Sequence, residues 1–164
     1  MAEVHDDKSE LVKQIRDAFA DVPYPGDNHL SYNPEDLGAN QIADAFRGKH
    51  WTEVPFETLL YHNDALHFFT DEAFHFYLPA YLLAVLERYD DADILPEMLV
   101  GVLTAPDPEA PDYSFFQQKF KSFTSAQEAA VKAFLEYLMK TYPDHYRHNE
   151  PLAALQSYWT PHSA

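Results

Sequence analysis

Cysteine is absent from the 164 residues of this chain, and glycine occurs only four times. Without thiols the chain forms no disulfide framework, and it has neither a thiolate nucleophile nor a thiolate zinc site. Four glycines leave little room for phosphate-binding loops, and neither a kinase signature nor a G-x-S-x-G elbow occurs. We therefore expect no cofactor, and the sequence argues against an enzyme.

Basic residues are also scarce, because 11 Lys and Arg stand against 27 Asp and Glu, a formal net charge of −16. Such a charge repels the phosphates of nucleic acids and the headgroups of anionic membranes. The same charge attracts a basic protein. An acidic surface can also simply keep a protein soluble, so the charge alone does not require a partner. We expect another protein as the partner, basic on its contacting face, and neither nucleic acid nor a membrane.

A long hydrophobic run is missing as well. The most apolar stretch, residues 73–86, contains His75 and Pro79 and is shorter than the roughly 20 residues that span a bilayer. Residues 1–10 are charged where a signal peptide is apolar. Together with the lack of cysteine, these features predict a cytoplasmic protein.

Apolar residues recur with helical spacing along most of the chain, and aromatics make up 15% of it. We predict an all-α fold, a single compact bundle of about six to eight helices in one domain over residues 1–164. Ser9 is predicted to cap the first helix, Pro34 to open the second, and Thr124 with Gln127 to form a capping box before a later one. No segment alternates with period two strongly enough to require a strand.

One long helix is predicted after Thr70, a favourable N-cap residue. Its apolar residues lie on nearly every side, which is typical of a helix surrounded by other elements. Pro79 falls inside it, lacks a backbone donor and crowds the carbonyl of His75. We therefore predict a central helix that is kinked or broken at Pro79.

The only full positive charges between Asp17 and Glu87 are Arg47 and Lys49. Next to a helix end, and followed by His50 and Trp51, they form a group suited to binding a carboxylate or phosphate beside an aromatic wall. Two interpretations remain open. Either these charges serve an anion site, or they neutralise acids such as Asp27, Asp44 or Asp64 while Trp51 anchors the loop.

Further polar residues follow at Tyr61, His62 and Asp64. An imidazole beside a carboxylate, as His62 and Asp64 provide, is the arrangement of a general base. Structural, hydrogen-bonded histidines are the alternative. Neither this spacing nor that of His145 and His148 indicates metal binding, so we predict no metal site. The binding candidates are eight residues: Asp27, Arg47, Lys49, His50, Trp51, Tyr61, His62 and Asp64.

Three segments carry a resemblance to a known family: residues 46–51 read FRGKHW, residues 61–65 read YHNDA and residues 76–84 read FYLPAYLLA. With these segments the chain resembles an uncharacterised bacterial family of small domains of unknown function. The resemblance covers most of the chain. It implies a bacterial source and a stand-alone domain, and it brings neither an activity nor site residues.

Charge and size lead to two hypotheses of function. The first is a non-catalytic protein-interaction domain of the bacterial cytosol, an acidic inhibitor of the immunity or antitoxin type, in which acidic loops at residues 90–93 and 107–112 steer association. The second is a small-molecule or anion binder, or a hydrolase, that gathers the eight binding candidates around one cleft.

Overall fold

A computed structural model describes the backbone of residues 2–31 and 36–159 and the side chains from Asp7 onward within those ranges. The helices are α1 (Ala2–Phe19), α2 (Leu37–Phe46), α3 (Phe56–Tyr61), α4 (Asp71–Glu87), α5 (Leu95–Val102), α6 (Tyr113–Phe120), α7 (Ser125–Thr141) and α8 (Glu150–Ala154). Within the described ranges these eight helices are accompanied by no strand, only by an isolated bridge between Ser31 and Phe69. The all-α prediction and the predicted number of helices are therefore confirmed.

Two of the predicted helix starts are formed as expected. Thr124 Oγ1 accepts from the Gln127 amide at 3.1 Å, and the Gln127 side chain accepts from the Thr124 amide at 2.9 Å, which completes the capping box of α7. Thr70 Oγ1 accepts from the Ala73 amide at 3.1 Å at the start of α4. These caps satisfy amides that have no partner inside their own helix.

The predicted start of the first helix is wrong, because α1 begins at Ala2 and Ser9 lies in its interior. Residues 2–8 are mostly charged or polar and lack the apolar repeat by which a sequence indicates a helix. Pro34 lies outside the described residues. The second helix begins at Leu37, where Asp36 caps it by accepting from the Ala39 amide at 2.9 Å.

Two compact units divide the chain, and the division falls within α5. The central unit is residues 21–98, and the terminal unit comprises residues 2–20 and 99–159 of the described chain. That all of residues 1–164 form one domain stays a prediction.

In the central unit, α4 is the core helix, and its side chains from Phe76 to Leu86 are all buried. It shows no polar stripe, as expected for a helix enclosed on all sides. The helix runs through Pro79 without interruption, so the chain is not broken there, and a kink at this residue stays a prediction.

In the terminal unit, α1 and α7 pack side by side and run antiparallel. Gln127, near the start of α7, donates from Nε2 to the carbonyl of Ala18, near the end of α1, at 3.0 Å. The segment after α8 closes the unit, because Trp159 Nε1 donates to the Leu103 carbonyl at 2.8 Å and Ser157 Oγ accepts from the Ala105 amide at 2.9 Å.

None of the helices in the described residues is long and apolar enough to cross a membrane.

Candidate functional site

The end of α2 is fixed by a tyrosine from the preceding loop. Gly48 follows the helix with φ of 76°, a left-handed conformation that glycine adopts without steric cost. Its amide donates to Tyr24 Oη at 2.8 Å, and this hydroxyl donates in turn to Asp27 Oδ1 at 2.6 Å. Partial burial and hydrogen bonding to a carboxylate both raise the pKa of Tyr24. Asp27 is a candidate as an acid that Arg47 or Lys49 could neutralise, whereas Tyr24, which connects Asp27 to Gly48, was not among the candidates.

Arg47 is engaged by acidic groups of its own unit. Its Nη1 forms an ion pair with Asp44 Oδ1, and its Nε donates to the backbone carbonyl of Asp27 at 3.3 Å. The hydrogen bond to Asp44 raises the pKa of Arg47 further. The ion pair with Asp44 fits the interpretation in which Arg47 neutralises a neighbouring acid, whereas the contact with Asp27 is to a backbone carbonyl and not to its carboxylate.

Lys49 turns back onto the helix that precedes it. Its Nζ donates to the Ala45 carbonyl at 2.8 Å, an interaction that suits the negative end of the α2 dipole. The backbone here is held from α4, since Tyr77 Oη lies 2.8 Å from the Phe46 carbonyl oxygen and 2.7 Å from that of Lys49. Burial raises the pKa of Tyr77 strongly, so the hydroxyl keeps the proton that it donates.

His50 and Trp51 build the short 3₁₀ turn Trp51–Glu53. His50 Nδ1 accepts from the Thr52 amide at 3.2 Å, and the His50 amide donates to Glu53 Oε1 at 2.9 Å, so the imidazole serves as a helix cap. Trp51 is 4% exposed, and its Nε1 has no acceptor among the described residues. It anchors the loop through its ring, which lies next to the His50 ring at 5.3 Å between centroids.

His62 is half-buried at the end of α3. Its ring meets Phe46 edge-on at 6.2 Å between centroids, and its carbonyl accepts from Tyr81 Oη at 2.7 Å. Burial lowers the pKa of His62, and the nearby charge of Asp64 opposes that shift in part. Among the described residues neither His62 nor His50 makes a hydrogen bond to a carboxylate, so neither forms the imidazole–carboxylate pair that a general base uses.

Of the eight candidates, the structure brings together Asp27 and Arg47, and it places His50 against Trp51. Tyr61 and Asp64 are exposed, with 82% of Tyr61 accessible to solvent. The described residues contain no group of three or more His, Asp or Glu side chains arranged to hold a metal ion. A small-molecule or anion site at these residues stays a prediction, and the contacts present are pairings within the central unit.

A second region of interest lies at the start of α6. Phe115 on α6 is 73% exposed, although phenylalanine is normally buried. The loop immediately before α6 carries three exposed carboxylates, those of Asp107, Glu109 and Asp112. The loop was predicted as a steering element from its charge, whereas no local pattern distinguishes the exposed Phe115 from the adjacent buried Phe116.

No curated protein and no solved structure matches this chain. A family model, described as a family of unknown function, matches residues 7–163 and so contains all three segments on which the resemblance rests. The resemblance to a family of unknown function is confirmed, whereas the bacterial source stays a prediction. Because the match spans nearly the whole sequence, the chain belongs to the family of unknown function DUF6714.

Proposed function

We propose that this chain is a non-catalytic interaction domain that binds a basic protein in the bacterial cytoplasm, as an acidic inhibitor of the immunity or antitoxin type does. The observation that carries the proposal is an exposed aromatic side chain beside an acidic loop. Phe115, 73% exposed, lies in the first turn of α6, three residues after the loop 105–112, which holds three exposed carboxylates and no basic residue. Interfaces combine aromatic anchors with charged rims in this way.

Phe115 supplies the affinity in this arrangement. Burial of a phenylalanine side chain in an apolar pocket of a partner is worth about 2–3 kcal/mol relative to exposure. In the isolated chain this free energy is not gained, because the ring of Phe115 stays in water. The buried residues of α6 are Phe116 and Phe120, so the core does not depend on Phe115. A partner that covers Phe115 therefore gains binding energy without disturbing the fold.

The acidic loop supplies selectivity and a fast encounter. Its carboxylates repel acidic proteins and attract basic ones over a Debye length of about 10 Å at 0.1 M salt. Binding of this kind weakens as salt concentration rises, which distinguishes it from purely apolar association.

The same loop is ordered before any partner arrives. Asp107 accepts from the Glu109 amide through Oδ1 at 2.9 Å and from the Ala110 amide through its carbonyl at 2.8 Å. Pro106, Pro108 and Pro111 restrict the backbone further. Because a preorganised loop loses less conformational entropy on association, the carboxylates are held ready for a complementary surface.

The test is affinity capture of the tagged full chain from the lysate of its source organism at low and at high salt. We expect a basic protein to be retained at low salt, to be released at high salt, and to be retained at least about fivefold less by Phe115→Ala. Leu37→Ala is the matched control, since Leu37 is 74% exposed but lies on α2. It should retain the partner as the wild type does.

A second variant separates charge from apolar contact. Asp107→Asn, Glu109→Gln and Asp112→Asn together remove three charges, while the amide oxygen introduced at position 107 can still accept the loop hydrogen bond. Retention should fall at low salt and lose most of its salt dependence. If no basic protein is retained, or if Phe115→Ala and Leu37→Ala behave alike, the proposed function is wrong.

A further inference from the structure

An open groove runs between the antiparallel helices α1 and α7 of the terminal unit. Its lining residues fall at positions 7–14 of α1 and 133–140 of α7, so it follows about two turns of each helix, roughly 10 Å. Leu11 is buried beneath the groove, and the half-buried side chains of Ala133 and Tyr137 form its accessible apolar floor. This groove offers an apolar surface of the size that one or two side chains of a partner helix cover.

Charge surrounds that apolar floor unevenly. Asp7, Glu10 and Glu136 carry exposed carboxylates on the rim, and Lys140 is the one ammonium among the lining residues. No ion pair joins Glu10, Glu136 or Lys140 to another side chain among the described residues. The rim is therefore a net acidic frame whose charges are not neutralised inside the fold.

We propose that the groove between α1 and α7 is a docking surface for a basic amphipathic segment of the protein partner. The segment places an apolar side chain on Ala133 and Tyr137, and its lysine or arginine side chains meet Glu10 and Glu136. Complementary charge selects this occupant, because the acidic rim repels an acidic segment and the apolar floor favours a segment that is not uniformly polar. The inference rests on the proposed function, since the occupant belongs to the basic partner.

A metal ion is not the occupant that the geometry favours. In the described residues no three carboxylates or imidazoles come close enough together to hold one. A lysine or arginine side chain has different requirements, because its long apolar stem covers the floor while its charged end reaches the rim.

The probe for the test is a synthetic helix-forming peptide of about 15 residues, the length at which isolated helices begin to form. It carries leucine on one face and lysine on the flanks, and its counterpart carries glutamate in place of every lysine. Amide shifts in NMR spectra of the full chain report where each peptide binds. We expect the lysine peptide to shift amides of α1 and α7, and the glutamate peptide to bind at least about tenfold more weakly.

Two charge-matched double variants then localise the contact. Glu10→Gln with Glu136→Gln should weaken binding of the lysine peptide about fivefold, because two exposed ion pairs are lost. Glu57→Gln with Glu72→Gln removes the same charge from exposed positions of the central unit and should change the affinity less than about twofold. Circular dichroism checks that all variants keep their helix content.

Three results would overturn the groove as a docking surface: no binding of the lysine peptide, shifts outside α1 and α7, or equal weakening by both double variants. The failure of this inference differs from that of the proposed function. A basic partner that is captured through Phe115 but is unaffected by Glu10→Gln with Glu136→Gln overturns the groove alone. Absence of any captured basic protein overturns the proposed function instead.

Discussion

Each of the two units of this chain is stabilised internally by different means. In the central unit, tyrosines of α4 donate hydrogen bonds to carbonyls at and beyond the ends of short helices, as Tyr77 does to Phe46 and Lys49 and Tyr81 does to His62. In the terminal unit, two long helices pack along their length and rings from separate segments cluster around Phe120. The comparison shows that regular helices are stabilised by packing, whereas short pieces also need directed polar contacts from the core.

The ring cluster of the terminal unit gives the largest expected effect. Phe120 is 1% exposed, and its ring centroid lies 4.9 Å from those of both Phe123 and Trp159. Phe120→Ala should lower the free energy of unfolding by about 3–5 kcal/mol through lost burial and an unfilled cavity. Urea unfolding measures the loss, and amide hydrogen exchange should show it in α6, α7 and the segment after α8.

Phe115→Ala is the control on the same helix. Because Phe115 is 73% exposed, its removal should change the free energy of unfolding by less than about 0.5 kcal/mol. Equal losses for the two variants would mean that the ring cluster does not hold the terminal unit together.

The hydroxyl of Tyr77 tests whether hydrogen bonds from α4 stabilise the central unit. Tyr77→Phe keeps the buried ring but leaves the Phe46 and Lys49 carbonyls without this donor, so the free energy of unfolding should fall by about 1–3 kcal/mol. Tyr61→Phe removes a hydroxyl from a side chain that is 82% exposed and should have no measurable effect. If both variants unfold at the wild-type urea concentration, the irregular segments of the central unit are held by ring packing alone.

Two glycines, one in a turn and one in a helix, are expected to have opposite effects on stability when replaced. Gly48, with φ of 76°, needs a left-handed backbone, so Gly48→Ala should cost about 1–2 kcal/mol although its new methyl group meets no atom within 4 Å. Gly101 lies in α5 with equally open space, and Gly101→Ala should stabilise the chain by about 0.4–1 kcal/mol. Thermal unfolding measures both, and effects of the same sign would contradict this account.

The contrast between regular helices and irregular segments also explains which features the sequence predicts well. Thr124 with Gln127 and the apolar repeat behind them lie within one stretch of α7, so a local pattern suffices to identify both the start and the buried face. The prediction at Ser9 is wrong because a favourable cap residue is also tolerated inside a helix. No feature of the local sequence indicates that α1 extends back to Ala2. Local signals thus predict helices better than they predict where helices begin.

The candidate site shows the limit of such patterns. That Arg47 is set among acids is visible in the sequence, and Asp44 lies three residues before it on the same helix. Tyr24 was missed because its contact with Gly48 joins positions 24 residues apart, and no spacing rule connects a loop to a helix end at that distance. Contacts of this kind depend on tertiary packing, which periodicity does not encode.

The smallest expected effect is a dependence of stability on pH at His62. Burial against Phe46 lowers its pKa in the folded chain below the unfolded value of about 6.5, so the folded state binds the proton less readily. This contribution to stability is fully present above pH of about 6.5 and is lost as pH falls through the folded pKa. His62→Gln should therefore show a shallower decline in the free energy of unfolding below pH of about 6.5 than the wild type.

His29→Gln controls for the loss of a histidine, because His29 is an exposed residue of the same unit. Urea unfolding at a series of pH values compares all three proteins, and the carboxylates that titrate below that range are common to them. A decline in His62→Gln as steep as in the wild type would show that the folded chain accommodates a charged imidazole at this position. In that case the contact with Phe46 does not exclude water from the imidazole, and the hydrogen bond from Tyr81 to the His62 carbonyl holds the end of α3.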